Sequence, residues 1–588
     1  MESASTKLLI IFVILNHCYL LTTPSTVHSI SPIPHEALPT KSGYLQVNST
    51  TKSAMFYTFY EAKEPNSSLT ETPILIWLQG GPGCSSMLGN FYELGPWRVV
   101  SSQGHNVEHL ELEPNSGSWN KLFGLVFIDN PIGVGFSIAT TKQEIPKDQH
   151  AVGKHLFKAI RAFVALDSLF KTRPIYVTGE SYAGKYVPAI GYYILKRNAR
   201  LVKSSQVNLA GVAIGNGLTD PISQVATHAM SAYYSGLINE KQKARLEKAQ
   251  DEAIGLIKIG NWSEATNARS KVLNLLQNMT GLATLYDFRR LIPYEDSLVE
   301  TYLSSVEVKK ALGANASIVF ELCSDAVGDI LHEDVMKSVK YMVEFLVKHT
   351  KVLLYQGQFD LRDGVVSTEA WMKKMKWDGI GKFLEADRKV WKVKGKLAGY
   401  VQKWGSLSHS IVSNAGHLVP TDQAVNSQVM IEDWVLDRGL FTNKEIVDPS
   451  IPSYDSKYLY EHFFGTTPIG SATQAFVLEI AVTFLLMFVV SGVATDNRAI
   501  GNLAGLAIGG TITMNVFMAG PVSGASMNPS RTLGPALVFH IYKGIWAYMI
   551  GPFIGAILGG FAYNMIRRTD KPLRELTKTE SIMRSFAR

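Results

Sequence analysis

The chain has 588 residues, 46% hydrophobic and 18% charged, so it is long enough for two or more domains and has the balance of a globular protein. Its net charge of +7 is scattered, and the Lys-rich stretch 373–396 has acids between its lysines. That pattern describes a solvated surface segment and argues against a nucleic-acid partner.

At the N-terminus, Lys7 precedes an apolar core from Leu8 to Leu15, followed by polar residues and Pro24. This length suits a cleaved secretory signal over residues 1–25 better than a spanning helix. Five apolar, β-rich runs then end in turn residues: 74–78, 125–128, 175–177, 209–214 and 352–355. Helical patterns such as 155–165 lie between them. The alternation predicts an α/β fold, with a mostly parallel sheet, helices on both faces and functional residues beyond the carboxyl ends of the strands. From about 220 to 320 the chain turns polar and helical, with a charged amphipathic stretch at 240–253. This region is expected to be a lid inserted into the sheet domain.

Composition changes near residue 465. Three apolar stretches follow, 475–494, 501–522 and 544–566, each long enough to cross a bilayer. Gly551, Gly555 and Gly559 lie at spacing four, which lets helices approach closely. Arg567, Arg568, Lys571 and Arg574 follow the last stretch, so the tail is expected in the cytosol. Of three cysteines, Cys18 lies in the signal, and Cys84 and Cys323 remain as a candidate disulfide in an oxidising compartment, or as two buried thiols. Sequons at Asn48, Asn66, Asn261, Asn278 and Asn315 make glycosylation an expectation for the lumenal part.

The segment 179–184 reads Gly-Glu-Ser-Tyr-Ala-Gly and follows the run at 175–177. A strand that ends in a sharp Gly-flanked turn lifts its serine, here Ser181, clear of the backbone as a nucleophile. Such a serine needs a base, and the base an orienting acid, in the chain order Ser, Asp, His for an α/β-hydrolase. Asp360 closes the loop after the run at 352–355, and His417 sits in the Gly-containing loop 414–420. By spacing alone, Asp363 competes with Asp360. The Gly-rich loop 77–86 can aim backbone N–H groups at a developing oxyanion. None of this chemistry calls for a cofactor or a metal.

Taken together, segments 77–86, 92–96, 118–121, 127–137, 178–188, 215–217 and 415–420 resemble the plant-type serine carboxypeptidase family. The resemblance covers about residues 35–440. It implies an α/β-hydrolase acting on peptides, with Ser181 as nucleophile, His417 as base and Asp360 as its orienter. It implies an oxyanion hole from the N–H groups of Gly81 and Tyr182, and it agrees with a Cys84–Cys323 disulfide. It further implies that Glu93 and Glu180 share a proton and, with Trp77 and Gln79, hold the substrate's terminal carboxylate. Two close carboxyls cannot both ionise cheaply, so an acidic optimum is expected. The family usually has Asn where this chain has Gln79, so altered geometry is expected there. Related acyltransferases, which use sugar esters, often carry aspartate before the nucleophile; Glu180 favours the peptidase.

Residues 463–588 resemble the second half of a nodulin-26-like aquaporin, through 464–468, the helix with Glu479, 494–499 and 524–531. That resemblance implies a pore centre at Asn528 and a constriction at Val516, Ala525 and Arg531. The family pore needs two inverted halves with two Asn-Pro loops, and this chain has one. Conduction by a single chain is therefore not expected; a homo-oligomeric pore, or a channel subunit with an inert hydrolase domain, is the alternative. The expected organisation is a signal at 1–25 and a carboxypeptidase domain at 30–445, on the lumenal or extracellular side. A linker at 446–468, an all-α three-helix half-aquaporin in lipid at 469–566 and a cytosolic tail at 567–588 complete it.

Overall fold

The computed structural model describes residues 28–103, 108–442, 465–496, 503–539 and 541–567. The expected signal, and all but the ends of the expected linker and tail, lie outside them. The chain divides into two compact units, residues 1–445 and 446–588.

A ten-stranded sheet centres the first unit. Its parallel part runs, side by side, Leu407–Val412, Lys351–Gly357, Leu209–Gly215, Ile175–Glu180, Ile74–Leu78 and Gly124–Ile128. All five expected runs are in it. Period-two alternation explains why both faces are covered. Ile74, Ile76, Val126, Ile128, Val352 and Leu354 point into one core, while Leu75, Trp77, Leu125, Phe127, Leu353 and Tyr355 point into the other. Each such side chain is almost wholly buried, and each stabilises the fold by about 1.5–3 kcal/mol.

Antiparallel strands extend the sheet at both ends, Lys41–Gln46 with Ala54–Tyr60 on one side and Lys389–Val393 with Lys396–Trp404 on the other. The second pair corrects the reading of 373–396 as a merely solvated segment. Lys389, Lys392 and Lys396 are exposed, but Phe383 and Trp391 are buried beneath them. Lysines on an edge strand keep it from pairing with another chain. A separate three-stranded sheet combines Trp97–Gln103, Glu108–Pro114 and His28–Ile30.

Helix Gln149–Ala165 is capped by Asp148, whose side chain accepts from Ala151 N, and buries Val152, Leu156, Ala159, Ile160 and Phe163 at helical spacing. The region 220–320 is helical, as expected of a lid. Its long helices Glu240–Lys258 and Trp262–Thr280 bury Leu246, Ala249, Ala253 and Ile257 on the one and Ala265, Ala268, Val272 and Leu276 on the other.

Among the described residues, the second unit holds three helices long and apolar enough to cross a membrane, Ala472–Ala494, Ala504–Ser523 and Ile545–Ile566. The glycine stripe is a packing face: a Cβ on Gly555 would lie 2.4 Å from Ile480 O, and one on Gly559 2.4 Å from Phe484 O. The Glu479 carboxylate is buried and accepts from Ser523 Oγ (2.7 Å), Ser526 N (2.9 Å) and Met527 N (2.7 Å). It thereby holds the loop that leads into the short helix Pro529–Phe539.

Candidate active site

Strand Ile175–Glu180 ends just before Ser181, and helix Ala183–Asn198 starts two residues after the serine. Ser181 has φ 61°, a left-handed conformation that costs a non-Gly residue energy and is held by its surroundings. Ser181 N donates to Gly215 O at 3.0 Å, and Ser181 O accepts from Leu218 N at 2.9 Å. The neighbouring loop has to come close: a Cβ on Gly80 would lie 2.5 Å from Tyr182 N. Glycine at 80 is therefore what lets the loop carrying Gly81 reach the serine. Gly81 and Tyr182 line the same cavity of about 200 Å³ as Ser181.

His417 Nδ1 lies 2.7 Å from Asp360 Oδ2. Asp360 is held in turn by Asn216 Nδ2 at 2.7 Å and by Arg362 N at 2.6 Å. Asp363, the competitor by spacing, turns away and pairs with Arg269 at 3.3 Å. His417 Nε2 is buried and has no hydrogen-bond partner among the described residues, so its bond to the Ser181 hydroxyl is not closed. Such bonds often tighten only around substrate. Tyr286, from the lid, packs its ring on His417 with centroids 4.6 Å apart and accepts His417 N on its carbonyl.

The carboxylate-holding candidates form one buried group. Trp77 Nε1 donates to Gln79 Oε1 at 2.8 Å, and Gln79 Nε2 donates to Glu180 Oε1 at 2.9 Å. Burial raises Glu93 to about 7. Burial first, and the Glu93 charge next, raise Glu180 well above its ordinary value. The two carboxyls lie close enough to couple, yet both Glu93 oxygens and Glu180 Oε2 lack a well-formed hydrogen bond among the described residues. Gln79 thus bridges the indole and Glu180, and the longer amide is accommodated inside the group. Arg98 ties the Glu93 carbonyl to the Pro420 carbonyl, linking this group to the His417 loop.

Residues 32–437 match the serine carboxypeptidase family. The chain belongs to that family. The carboxypeptidase is 57% identical over 449 residues to serine carboxypeptidase-like 50 of Arabidopsis thaliana, covering 76% of this chain and 97% of the relative. It is 34% identical over 423 residues to the probable serine carboxypeptidase CPVL of Homo sapiens, covering 70% of this chain and 86% of the relative. Among solved structures it is similar to Kex1(delta)p, a prohormone-processing carboxypeptidase from Saccharomyces cerevisiae. The TM-score is 0.61 and the identity 26%, over 70% of this chain and 97% of that one. Residues 454–563 match the major intrinsic protein family, so the carboxypeptidase carries an aquaporin-type segment at its C-terminal end.

Cys84 and Cys323 are bonded, which joins the Gly-rich loop to a segment 239 residues away. Of the sequons, Asn66, Asn261, Asn278 and Asn315 are exposed and Asn48 is half-buried. In the second unit Arg531 donates to the Ala525 carbonyl, and Asn528 Oδ1 accepts from Ser530 N at 2.9 Å. Val516, Asn528 and Arg531 are exposed there, whereas Ala525 is buried.

Several supporting residues had no role assigned from the sequence. Asn216 lies in the segment 215–217 that carries the family resemblance and closes strand Leu209–Gly215, and its bond to Asp360 shows only in the fold. Lys185 and Asp334 carry no local signal. Lys185 Nζ is wholly buried 2.9 Å from Asp334 Oδ2, which also accepts from Tyr182 Oη at 2.6 Å. They fasten the turn after Ser181 to the segment 332–335.

Proposed function

We propose that the carboxypeptidase releases C-terminal residues from peptides through an acyl-enzyme, at acidic pH, from a catalytic domain tethered to a membrane by its aquaporin-type helices. The observation that carries this reading is the buried Glu93–Glu180 pair beside a strained serine. One member stays protonated and donates to the substrate's terminal carboxylate, while Gln79 and Trp77 hold the pair in register.

Ser181 Oγ attacks the carbonyl of the last peptide bond, and His417 Nε2 takes its proton. Asp360 keeps Nδ1–H directed and stabilises the imidazolium. Negative charge on the carbonyl oxygen faces the Gly81 and Tyr182 amides. His417 returns the proton to the leaving amine, and water releases the acyl group by the same route. A cleaved signal would put this domain in the lumen, with Arg567 and the basic tail in the cytosol. The purified full-length protein should hydrolyse an N-blocked dipeptide faster than it uses a glucose ester. Ser181→Ala should abolish that hydrolysis. A variant with the normal peptidase rate would overturn the assignment.

A further inference from the structure

The cavity beside Ser181 has a wall that the reaction itself does not use. Thr266, Arg269 and Ser270 reach it from the lid helix Trp262–Thr280, and Arg362 and Asp363 from the loop after Asp360. Trp77, Gln79, Glu93 and Glu180 are not in its lining. With a terminal carboxylate held by those four groups and the scissile carbonyl at Ser181, the side chain on the acyl side of the bond is left to enter this cavity.

The charges on that wall do not cancel. Arg269 is matched by Asp363 at 3.3 Å, with both side chains nearly buried. Arg362 forms no ion pair of its own among the described residues, although Tyr286 first, and then the Asp363 and Asp360 carboxylates acting at longer range, hold its pKa up. Its guanidinium stacks over Tyr286, with Cζ 5.0 Å from the ring centre. An arginine packed over a ring keeps N–H donors for a carboxylate, which a guanidinium can bind through two hydrogen bonds. Leu218 and Val335 supply apolar surface for a methylene stem. The cavity lining thus holds two cations, Arg269 and Arg362, and one carboxylate, Asp363, with Asp360 behind it, and a cation only partly offset attracts an anion more strongly in a partly enclosed cavity than in open water.

We propose that this cavity is the acyl-side specificity pocket and that Arg362 makes it select a glutamate or aspartate as the penultimate residue of the substrate. The inference rests on the peptidase reading above. Arg362 is a specificity-determining residue here; its backbone N–H on Asp360 is a separate, structural role.

The test compares N-blocked Glu-Leu with N-blocked Gln-Leu, which differ in one charge, at about pH 5.5, where a glutamate side chain is ionised. With the full-length protein, kcat/KM should favour Glu-Leu by about tenfold to a hundredfold, the range of a charge-assisted hydrogen bond. Arg362→Gln should bring the ratio toward one, and Arg362→Lys should keep part of it. Because each ratio is taken within one variant, a lower folded fraction cancels. Should Arg362→Gln fail to fold, the wild-type ratio and Arg362→Lys still decide. Cleavage of both peptides by the wild type at equal kcat/KM overturns this inference alone, and so does an Arg362→Gln variant that keeps the wild-type ratio. Cleavage of neither overturns the peptidase reading and this inference with it.

Discussion

Replacing Glu180 by Gln probes the carboxyl pair most directly. Glu93 is raised to about 7 and Glu180 well above its ordinary value, burial being the first cause for both. The pair therefore keeps a shared proton through the acidic range and loses it only as Glu180 ionises. Once it is lost, an incoming carboxylate meets two buried anions. A like-charge contact at about 4 Å costs about 4 kcal/mol at an effective dielectric of about 20. Peptide kcat/KM in the wild type should thus fall about tenfold per pH unit once the pH is high enough for Glu180 to ionise as well. In Glu180→Gln, an ionised Glu93 beside the new amide has the charge and the donor of the singly protonated wild-type pair. Glu93 is then the one carboxyl left in that group, and its ionised form is already the binding form, so the alkaline fall should disappear or move up by at least about one pH unit. The assay is kcat/KM from about pH 5 to about pH 8.5, for an N-blocked dipeptide and for its C-terminal amide. The amide has no carboxylate to repel and should lack the fall. Parallel profiles for the two substrates, or a variant that keeps the wild-type fall, would refute the shared-proton reasoning.

Folding stability should move in the same direction. A carboxyl whose folded pKa is raised binds more protons in the folded than in the unfolded state, so its contribution is complete below about 4.5 and lost as pH rises through about 7. For Glu93 the loss is on the order of 3 kcal/mol, from a rise of 4.5 to about 7 at about 1.36 kcal/mol per unit. Urea unfolding across this range should show it, and Glu93→Gln should flatten the dependence; an unchanged slope would count against it. Cys323→Ser removes a cross-link spanning 239 residues and should cost about 2–5 kcal/mol, seen as a lower denaturant midpoint. Glu479→Ala leaves the buried amides of Ser526 and Met527 without their acceptor, at about 1–3 kcal/mol each. The full-length protein in detergent should then unfold at a lower temperature, and an unaltered Tm would show that the loop is held by other contacts.

Much of this protein is written in short range along its sequence. A strand that must be apolar on both faces, closed by a turn that only small residues permit, announces itself within ten residues. Ser181 and the five central strands are legible for that reason. The membrane-spanning lengths are legible too, since a helix in lipid needs an unbroken apolar run and its close contacts need glycines one turn apart. Other features depend on parts of the chain far apart in sequence. Asp360 and Asp363 lie in one loop, and only the way that loop leaves the sheet sets Asp360 2.7 Å from His417 and sends Asp363 to the lid's Arg269. The antiparallel edge at 389–404 was missed because its strands are half-exposed and carry lysines in place of a continuous apolar run, whereas the wholly buried strand Ala54–Tyr60 at the other edge was missed although its run of aromatic and apolar residues is legible. Lys185, Asp334 and Arg362 are ordinary charged residues by any local measure. Tertiary structure alone decided that the first two meet in the core behind Tyr182 and that the third stacks on a lid tyrosine at the edge of the cavity, since a charge takes its role from what surrounds it and not from its neighbours in the chain.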